Sequence, residues 1–175
     1  MKKIAVVALL STLIVVPAVA ADMYAGVRVG QAKTRIDNVP LTTDSPTGLG
    51  VFGGYIINPN FAVEAEYLNL GEFKAGSAGG KSSGFSVSGI GSYPINEQFS
   101  LFGKLGYAMI TSKATGSNTS PDAKSNAVTY GLGAQYNVNP SVGVRLGWDK
   151  YEFNDTTPAL NGNASLISVG GVFKF

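Results

Sequence analysis

The charged residues that could do chemistry in this sequence stand singly within apolar segments, and they do not form a catalytic cluster. Glu64 lies five residues after Pro59, and Arg145 lies five residues after Pro140. Carboxylates and guanidinium groups that meet in a low-dielectric interior form ion pairs, and such groups can also line a path for ions. The candidates for a charge cluster of this kind are Arg28, Glu64, Glu66, Lys104, Gln135 and Arg145.

Composition argues against most enzyme classes. The 175 residues include no histidine and no cysteine, which removes the usual general base, thiol catalysis and zinc–thiolate sites. Only 14% of the residues are charged, against roughly 25% in ordinary soluble domains, and no basic run occurs beyond Lys2 and Lys3. We therefore predict a protein that is not an enzyme, has no cofactor and no metal, and binds no nucleic acid.

The N-terminus predicts a cleaved export signal. Lys2 and Lys3 precede an apolar stretch, which ends in the small-x-small pattern of Ala18-Val19-Ala20. We expect cleavage after Ala20, giving a signal peptide at 1–20 and a mature domain at 21–175. The alternative, a membrane-anchoring helix, is disfavoured because the apolar stretch is short. Removing these two lysines from the 13 basic residues leaves 11, which equals the number of acidic residues.

Alternation with a period of two runs through the predicted mature domain, and it is typical of β-strands. In 142–149, for example, Val, Val, Leu and Trp alternate with Gly, Arg, Gly and Asp. No further run reaches the roughly 18 apolar residues of a membrane-spanning helix. Eight alternating segments are found, at 23–31, 48–57, 61–69, 83–93, 99–109, 126–136, 142–149 and 165–175.

The connections between these segments alternate between short and long. Three are short and marked by proline, at 58–60, 93–96 and 139–141, and four are long and polar, at 32–47, 71–82, 111–125 and 152–164. Short turns at one end and long loops at the other are typical of bacterial outer-membrane barrels. The predicted fold class is all-β, an eight-stranded antiparallel up-and-down transmembrane β-barrel.

The composition of the two faces decides between a membrane barrel and a soluble ligand barrel. The polar face consists mostly of glycine, serine and alanine with isolated charges, which suits a narrow lumen better than a water-facing surface. The opposite face is continuously apolar, as contact with lipid requires, and this predicts location in the bacterial outer membrane. The candidates for an interfacial aromatic girdle are Tyr55, Tyr67, Tyr93, Tyr107, Tyr136 and Trp148.

Several motifs resemble the OmpA-type transmembrane domain, a family of small eight-stranded outer-membrane barrels. Gly50-Val51-Phe52-Gly53-Gly54-Tyr55, followed by Asn58-Pro59, is similar to the second hairpin of that domain, and 131–146 is similar to its later strands. The resemblance covers essentially the whole mature domain and implies a barrel-only member. The terminal Phe173 and Phe175 resemble the aromatic insertion signal that the outer-membrane assembly machinery reads in this family.

The resemblance also implies a role for the charged residues. Matching positions in the family hold an interior salt-bridge cluster described as a gate, and Glu64, Arg145, Arg28 and Lys104 match it by type. Ile90 and Gln135 depart from the pattern, because they stand where a lysine and a second glutamate are expected. From the residues themselves we expect Glu64 to pair with Arg145 and with Lys104 or Arg28.

Two functional hypotheses follow. The first is a barrel with a largely plugged lumen, which has a structural role in the outer membrane and presents its loops to lipopolysaccharide, host surfaces or another surface ligand. The second is a narrow, low-conductance porin for ions or small solutes. The expected partners are outer-membrane lipid and lipopolysaccharide, with the assembly machinery during biogenesis, and a monomer is favoured. Asp149, Glu152 and Asp155 could collect a divalent cation, but their spacing favours a solvated rim.

Overall fold

The computed structural model describes residues 22–36, 47–75, 78–115, 123–153 and 162–175. The predicted signal peptide at 1–20 lies outside the described residues and stays a prediction. The strands are β1 Met23–Ile36, β2 Thr47–Asn58, β3 Phe61–Ala75, β4 Ala78–Pro94, β5 Phe99–Thr115, β6 Ala123–Asn137, β7 Val142–Phe153 and β8 Gly162–Lys174.

The strands close into a barrel. Each strand pairs antiparallel with the next one along the chain, and β1 also pairs with β8 over the register from Tyr24–Lys174 to Ile36–Gly162. Closure leaves no open sheet edge, as a hydrocarbon environment demands. The predicted eight-stranded antiparallel barrel is confirmed. Within the described residues, no helix is long and apolar enough to cross a membrane.

Several strands are longer than the alternation predicted. Nearly all of the connection expected at 71–82 belongs to β3 and β4, which stay paired as far as Ala75–Ala78. Of the connection expected at 111–125, residues 111–115 belong to β5 and 123–125 to β6. The predicted strand ends were wrong here because serine, threonine, lysine and glycine are typical of loops by composition. In these extensions the backbone pairing continues although the apolar alternation has ended.

All three short turns contain the same type of side-chain to backbone hydrogen bond. Each contains an asparagine whose Oδ1 accepts hydrogen bonds from the backbone N–H groups two and three residues later, at 2.7–3.0 Å. These residues are Asn58, Asn96 and Asn139. An asparagine that satisfies the backbone in this way stabilises a turn locally. It therefore fixes where each of β3, β5 and β7 begins.

The barrel interior is layered along its axis. Near the turns, Tyr24, Phe52 and Val172 form a small apolar cluster. Near the long connections, a larger apolar cluster consists of Ala32, Leu68, Ala108, Ile110, Ala127, Tyr151, Ala164 and Leu166. Along β1, Arg28 lies between Tyr24 of the first cluster and Ala32 of the second. The candidate charge cluster therefore occupies the layer between two apolar layers.

Candidate functional site

The charged side chains of the lumen come from alternate strands. Arg28 projects inward from β1, Glu64 and Glu66 from β3, Lys104 from β5, and Arg145 from β7, and all five are largely buried. The even-numbered strands contribute small residues at the same level. A Cβ placed on Gly50 would lie 2.7 Å from Glu66 Oε1, and one on Gly170 would lie 3.0 Å from Arg28 Cβ. Glycine on the even strands thus makes room for charges from the odd strands.

An ion pair between β3 and β7 crosses the barrel. Arg145 Nη1 donates to Glu64 Oε2 at 2.6 Å, and Tyr24 Oη donates to the same oxygen at 2.9 Å. Lys104 Nζ lies 3.9 Å from Glu64 Oε1. Of the two partners expected for Glu64 besides Arg145, the structure therefore brings Lys104 close. No ion pair between Arg28 and Glu64 is found among the described residues.

Arg28 instead forms the centre of the other half of the cluster. Its guanidinium group pairs with Glu66 through Nε and with Asp149 through Nη1. Nη2 also donates to Glu66 Oε2 at 2.9 Å and to Tyr151 Oη at 3.1 Å. Lys104 Nζ links the two carboxylates, at 3.4 Å from Glu66 Oε2 and 3.1 Å from Asp149 Oδ1.

Three cations and three carboxylates therefore form one network, which we call the lumenal charge network: Arg28, Lys104, Arg145, Glu64, Glu66 and Asp149. Its formal charges cancel. Asp149 is 2% exposed and Glu64 and Glu66 are 3% exposed, so each ion has lost most of its hydration. Burial of this kind is tolerated only when every charge keeps partners, since an unpaired ion costs several kcal/mol.

Asp149 is the member of the network that sequence reasoning misplaced. The expected solvated rim is wrong for this residue, because its carboxylate is buried and paired with Arg28 and Lys104. The parity of β7 already put Asp149 on the same face as Arg145. The side-chain partners Tyr24 and Tyr151 were also missed, although Tyr24 shares the inward parity of Arg28.

Arg145 is enclosed by aromatic rings. Its guanidinium carbon lies 5.3 Å from the centre of the Tyr24 ring and 5.0 Å from those of Phe52 and Phe102. Gln135 Oε1 accepts hydrogen bonds from Arg145 Nε and Nη2, both at 3.1 Å. Cation–π contacts strengthen when water is excluded. These contacts hold the guanidinium plane from several sides while Glu64 neutralises its charge.

The two positions that depart from the family pattern are also buried in the lumen. Gln135 supplies an uncharged acceptor to Arg145, and Ile90 is 3% exposed. The network therefore reaches neutrality without a charge at either position. Asp149 supplies the third carboxylate in this chain.

The girdle candidates fall into two groups along the strands. Tyr55, Tyr93 and Tyr136 lie beside the short turns, whereas Tyr67, Tyr107 and Trp148 lie near the middle of β3, β5 and β7. All five tyrosines are exposed, and Trp148 is partly buried. The next outward position beyond Tyr67 is the exposed, polar Asn69. The aromatic residues thus bracket the apolar outer band, and β3 continues beyond it.

The candidate insertion residues lie at the seam of the barrel. Phe173 pairs with Ala25 on one side and Val142 on the other. The backbone N–H of Phe175 donates to Met23 O at 3.0 Å. Both aromatic side chains are partly buried. Their predicted role as an insertion signal concerns biogenesis and stays a prediction.

Little open space remains around the network. A cavity of about 20 Å³ lies against Arg28, Glu64, Lys104 and Asp149, which is close to the minimum that one water molecule requires. A larger cavity of about 270 Å³ opens among the short turns and extends inward to Arg145. We call the second one the turn-side cavity. Three of its lining residues are Tyr24, Ile90 and Phe102.

Comparison with known proteins agrees with this architecture. Residues 5–175 match the outer membrane protein beta-barrel domain family. The chain is 35% identical over 150 residues to outer membrane protein P5 of Haemophilus influenzae, covering 70% of this chain and 42% of P5. It is 29% identical over 168 residues to outer membrane protein A of Salmonella typhi, covering 87% and 48%. The chain thus spans about half the length of the curated relatives it matches.

A solved structure shows the same fold. The crystal structure of Neisserial surface protein A superposes with a TM-score of 0.72 at 18% identity, covering 87% of this chain and 97% of that one. The family match, the relatives and the closed barrel point to the same conclusion. This chain belongs to the outer membrane protein β-barrel domain family, as a small barrel of the OmpA type located in the bacterial outer membrane.

Proposed function

We propose that this protein is a barrel with a plugged lumen, which has a structural role in the outer membrane and offers its loop end for surface interactions. The observation that carries the proposal is the lumenal charge network. Its six charges come from four strands around the barrel and neutralise one another at the centre. A permeating ion would have to displace these pairs, and each displaced charge would be left buried without a partner.

The loop-side half of the lumen supports the same proposal. Leu166 and Ala127 are 1% exposed, and Ala108 is 2% exposed. These residues belong to the larger apolar cluster, which lies in the lumen on the loop side of the network. An apolar constriction excludes water and therefore opposes ion passage.

Surface interactions are proposed for the end of the barrel that carries the long connections. The connections at 37–46, 76–77, 116–122 and 154–161 lie outside the described residues, so the support comes from their polar composition and from outer-membrane location. We propose lipopolysaccharide or another surface as the partner of this end, and a monomer as the functional form. We also propose that the assembly machinery reads Phe173 and Phe175 during insertion.

A narrow pore for ions or small solutes is the second candidate function. One observation favours it: the turn-side cavity already reaches Arg145, and the 20 Å³ cavity lies directly beyond that residue. A rearrangement of Arg145 and the neighbouring Phe102 would connect the two spaces. The apolar cluster on the loop side would then be the remaining barrier.

An ion-flux assay distinguishes the two functions. Protein purified from the outer membranes of a producing bacterium is reconstituted into liposomes with a trapped potassium-sensitive dye. The plugged barrel predicts the same leak as protein-free liposomes, whereas a pore predicts leak that rises with protein content. Insertion is verified in the same sample by heat-dependent gel mobility.

A deletion strain tests the structural role. Cells that lack the gene should be more sensitive to detergent than the parent strain, and re-expression of the protein should restore resistance.

A further inference from the structure

The turn-side cavity has two chemically different walls. The side formed by β2, β4 and β5 carries the apolar Ile56, Ile90 and Phe102, together with Ser92 and Ser100. The side formed by β6, β7 and β8 carries Gln135, Arg145 and Lys174, together with Val172. The volume of about 270 Å³ is close to the roughly 300 Å³ at which small-molecule sites begin. A ligand in this cavity would meet an apolar surface and a cationic surface at once.

Lys174 supplies a positive charge that the protein itself does not compensate. The lumenal charge network is neutral without it, because three cations there face three carboxylates. Among the described residues, no carboxylate lies within ion-pair distance of Lys174. The carboxylate that lines this cavity belongs to Glu97, which is exposed on the turn between β4 and β5 at the cavity mouth.

Polar contacts hold the Lys174 ammonium group in place. Lys174 Nζ donates to Asn137 Oδ1 at 3.2 Å, and the same oxygen accepts from Gln135 Nε2 at 2.8 Å. Gln135 in turn binds Arg145 through Oε1. The cation is therefore fixed in a partly buried position, with its remaining two hydrogens free to donate. Positioned donors of this kind favour binding because less side-chain entropy is lost.

We propose that the turn-side cavity binds a small organic monoanion, a carboxylate joined to an apolar body. The carboxylate pairs with Lys174 and lies near Arg145, which lines the cavity and is 14% exposed, and the apolar body packs against Ile90 and Phe102. Short turns face the periplasm in outer-membrane barrels, so the ligand enters from the periplasm. The site goes beyond the proposed function, since binding here requires no passage through the lumen.

The proposal is tested with 4-fluorobenzoate as the probe and 4-fluorobenzamide as its uncharged match. The full-length gene product is purified from outer membranes into zwitterionic lipid nanodiscs, and ¹⁹F NMR line broadening is followed during titration. Saturable binding of the benzoate is expected, with an affinity for the benzamide lower by on the order of tenfold. Empty nanodiscs correct for partition of either probe into lipid.

Three variants locate the binding. Lys174→Gln should weaken benzoate binding by on the order of tenfold and leave benzamide unchanged, because it removes the charge and keeps a donor. Lys150→Gln removes one positive charge at the loop end of β7, away from the short turns, and should change the affinity for neither probe. Ser100→Trp fills the cavity at constant charge and should abolish binding. This second variant keeps the test valid if Lys174→Gln folds poorly. Absence of saturable benzoate binding, equal binding of both probes, or wild-type affinity in Lys174→Gln or Ser100→Trp would overturn the proposal.

Discussion

Arg145 and Glu64 are 81 residues apart in sequence, yet Arg145 Nη1 lies 2.6 Å from Glu64 Oε2 inside the barrel. This contact joins β7 to β3 across the lumen, which strand pairing alone does not do. The side chains of Glu64 and Arg145 are only 3% and 14% exposed. The pair therefore acts as a buried cross-link between strands that share no backbone hydrogen bonds.

Glu64→Gln should destabilise the barrel. The substitution keeps the shape of the side chain but leaves the Arg145 guanidinium without a counter-charge in a buried site, which costs about 3 kcal/mol. Urea unfolding of protein reconstituted in lipid vesicles measures the free energy of unfolding. The matched control is Glu152→Gln, whose carboxylate is 46% exposed and pairs with Lys150, and this variant should unfold like the wild type. Equal stability of Glu64→Gln and wild type would show that the pair is unimportant.

Arg28→Lys should also destabilise the barrel, although the substitution preserves the positive charge. Three different nitrogens of Arg28 serve Glu66, Asp149 and Tyr151, and one ammonium group cannot reproduce this planar arrangement. The loss of charge-assisted hydrogen bonds should lower the free energy of unfolding by about 2–4 kcal/mol. Lys150→Arg, at the loop end of β7, serves as the control in the same urea titration. Wild-type stability of Arg28→Lys would argue against the multidentate geometry.

Replacement by alanine should destabilise the barrel at one glycine of β5 and leave its stability unchanged at another. Gly106 faces inward, and a Cβ there would overlap Ser88 Oγ and the backbone oxygen of Val87. Gly103 faces outward, and its Cβ would come no closer than 4.0 Å to the backbone oxygen of Gly131. Gly106→Ala should cost about 1–3 kcal/mol through overpacking, and Gly103→Ala should stay within about 0.5 kcal/mol of wild type. Similar unfolding midpoints for the two variants would contradict this interior packing.

Cleavage of the predicted signal peptide is checked by intact-mass spectrometry. Protein produced from the whole gene and extracted from the outer membrane should begin at Ala21, because the small-x-small pattern ends at Ala20. Ala20→Arg should block cleavage at this bond and retain the N-terminal segment. A mature protein that begins elsewhere, or one that keeps residues 1–20, would refute the predicted boundary.

The strands could be predicted from sequence because residue parity determines which side chains share a face. Parity placed Arg28, Glu64 and Arg145 in the lumen, but it says nothing about their relative heights, which depend on the stagger between strands. For that reason parity predicts Arg28 as a possible partner of Glu64, whereas in the structure Arg28 pairs with Glu66 and Asp149. The ends of β3, β4 and β5 could not be predicted in this way. The alternation of apolar residues stops at the edge of the apolar outer surface, whereas backbone pairing continues beyond it.

Single-channel recording in planar bilayers tests the plugged lumen most directly. Protein from outer membranes is added to a bilayer in concentrated potassium chloride, and insertion is verified by recovering heat-modifiable protein from the bilayer lipid. A known porin added afterwards confirms that steps are detectable. With the lumenal charge network and the apolar cluster in place, the current should stay at the baseline of the bare bilayer. Discrete, reproducible steps from the wild-type protein, altered in Glu64→Gln, would contradict the plug and establish a path through the network.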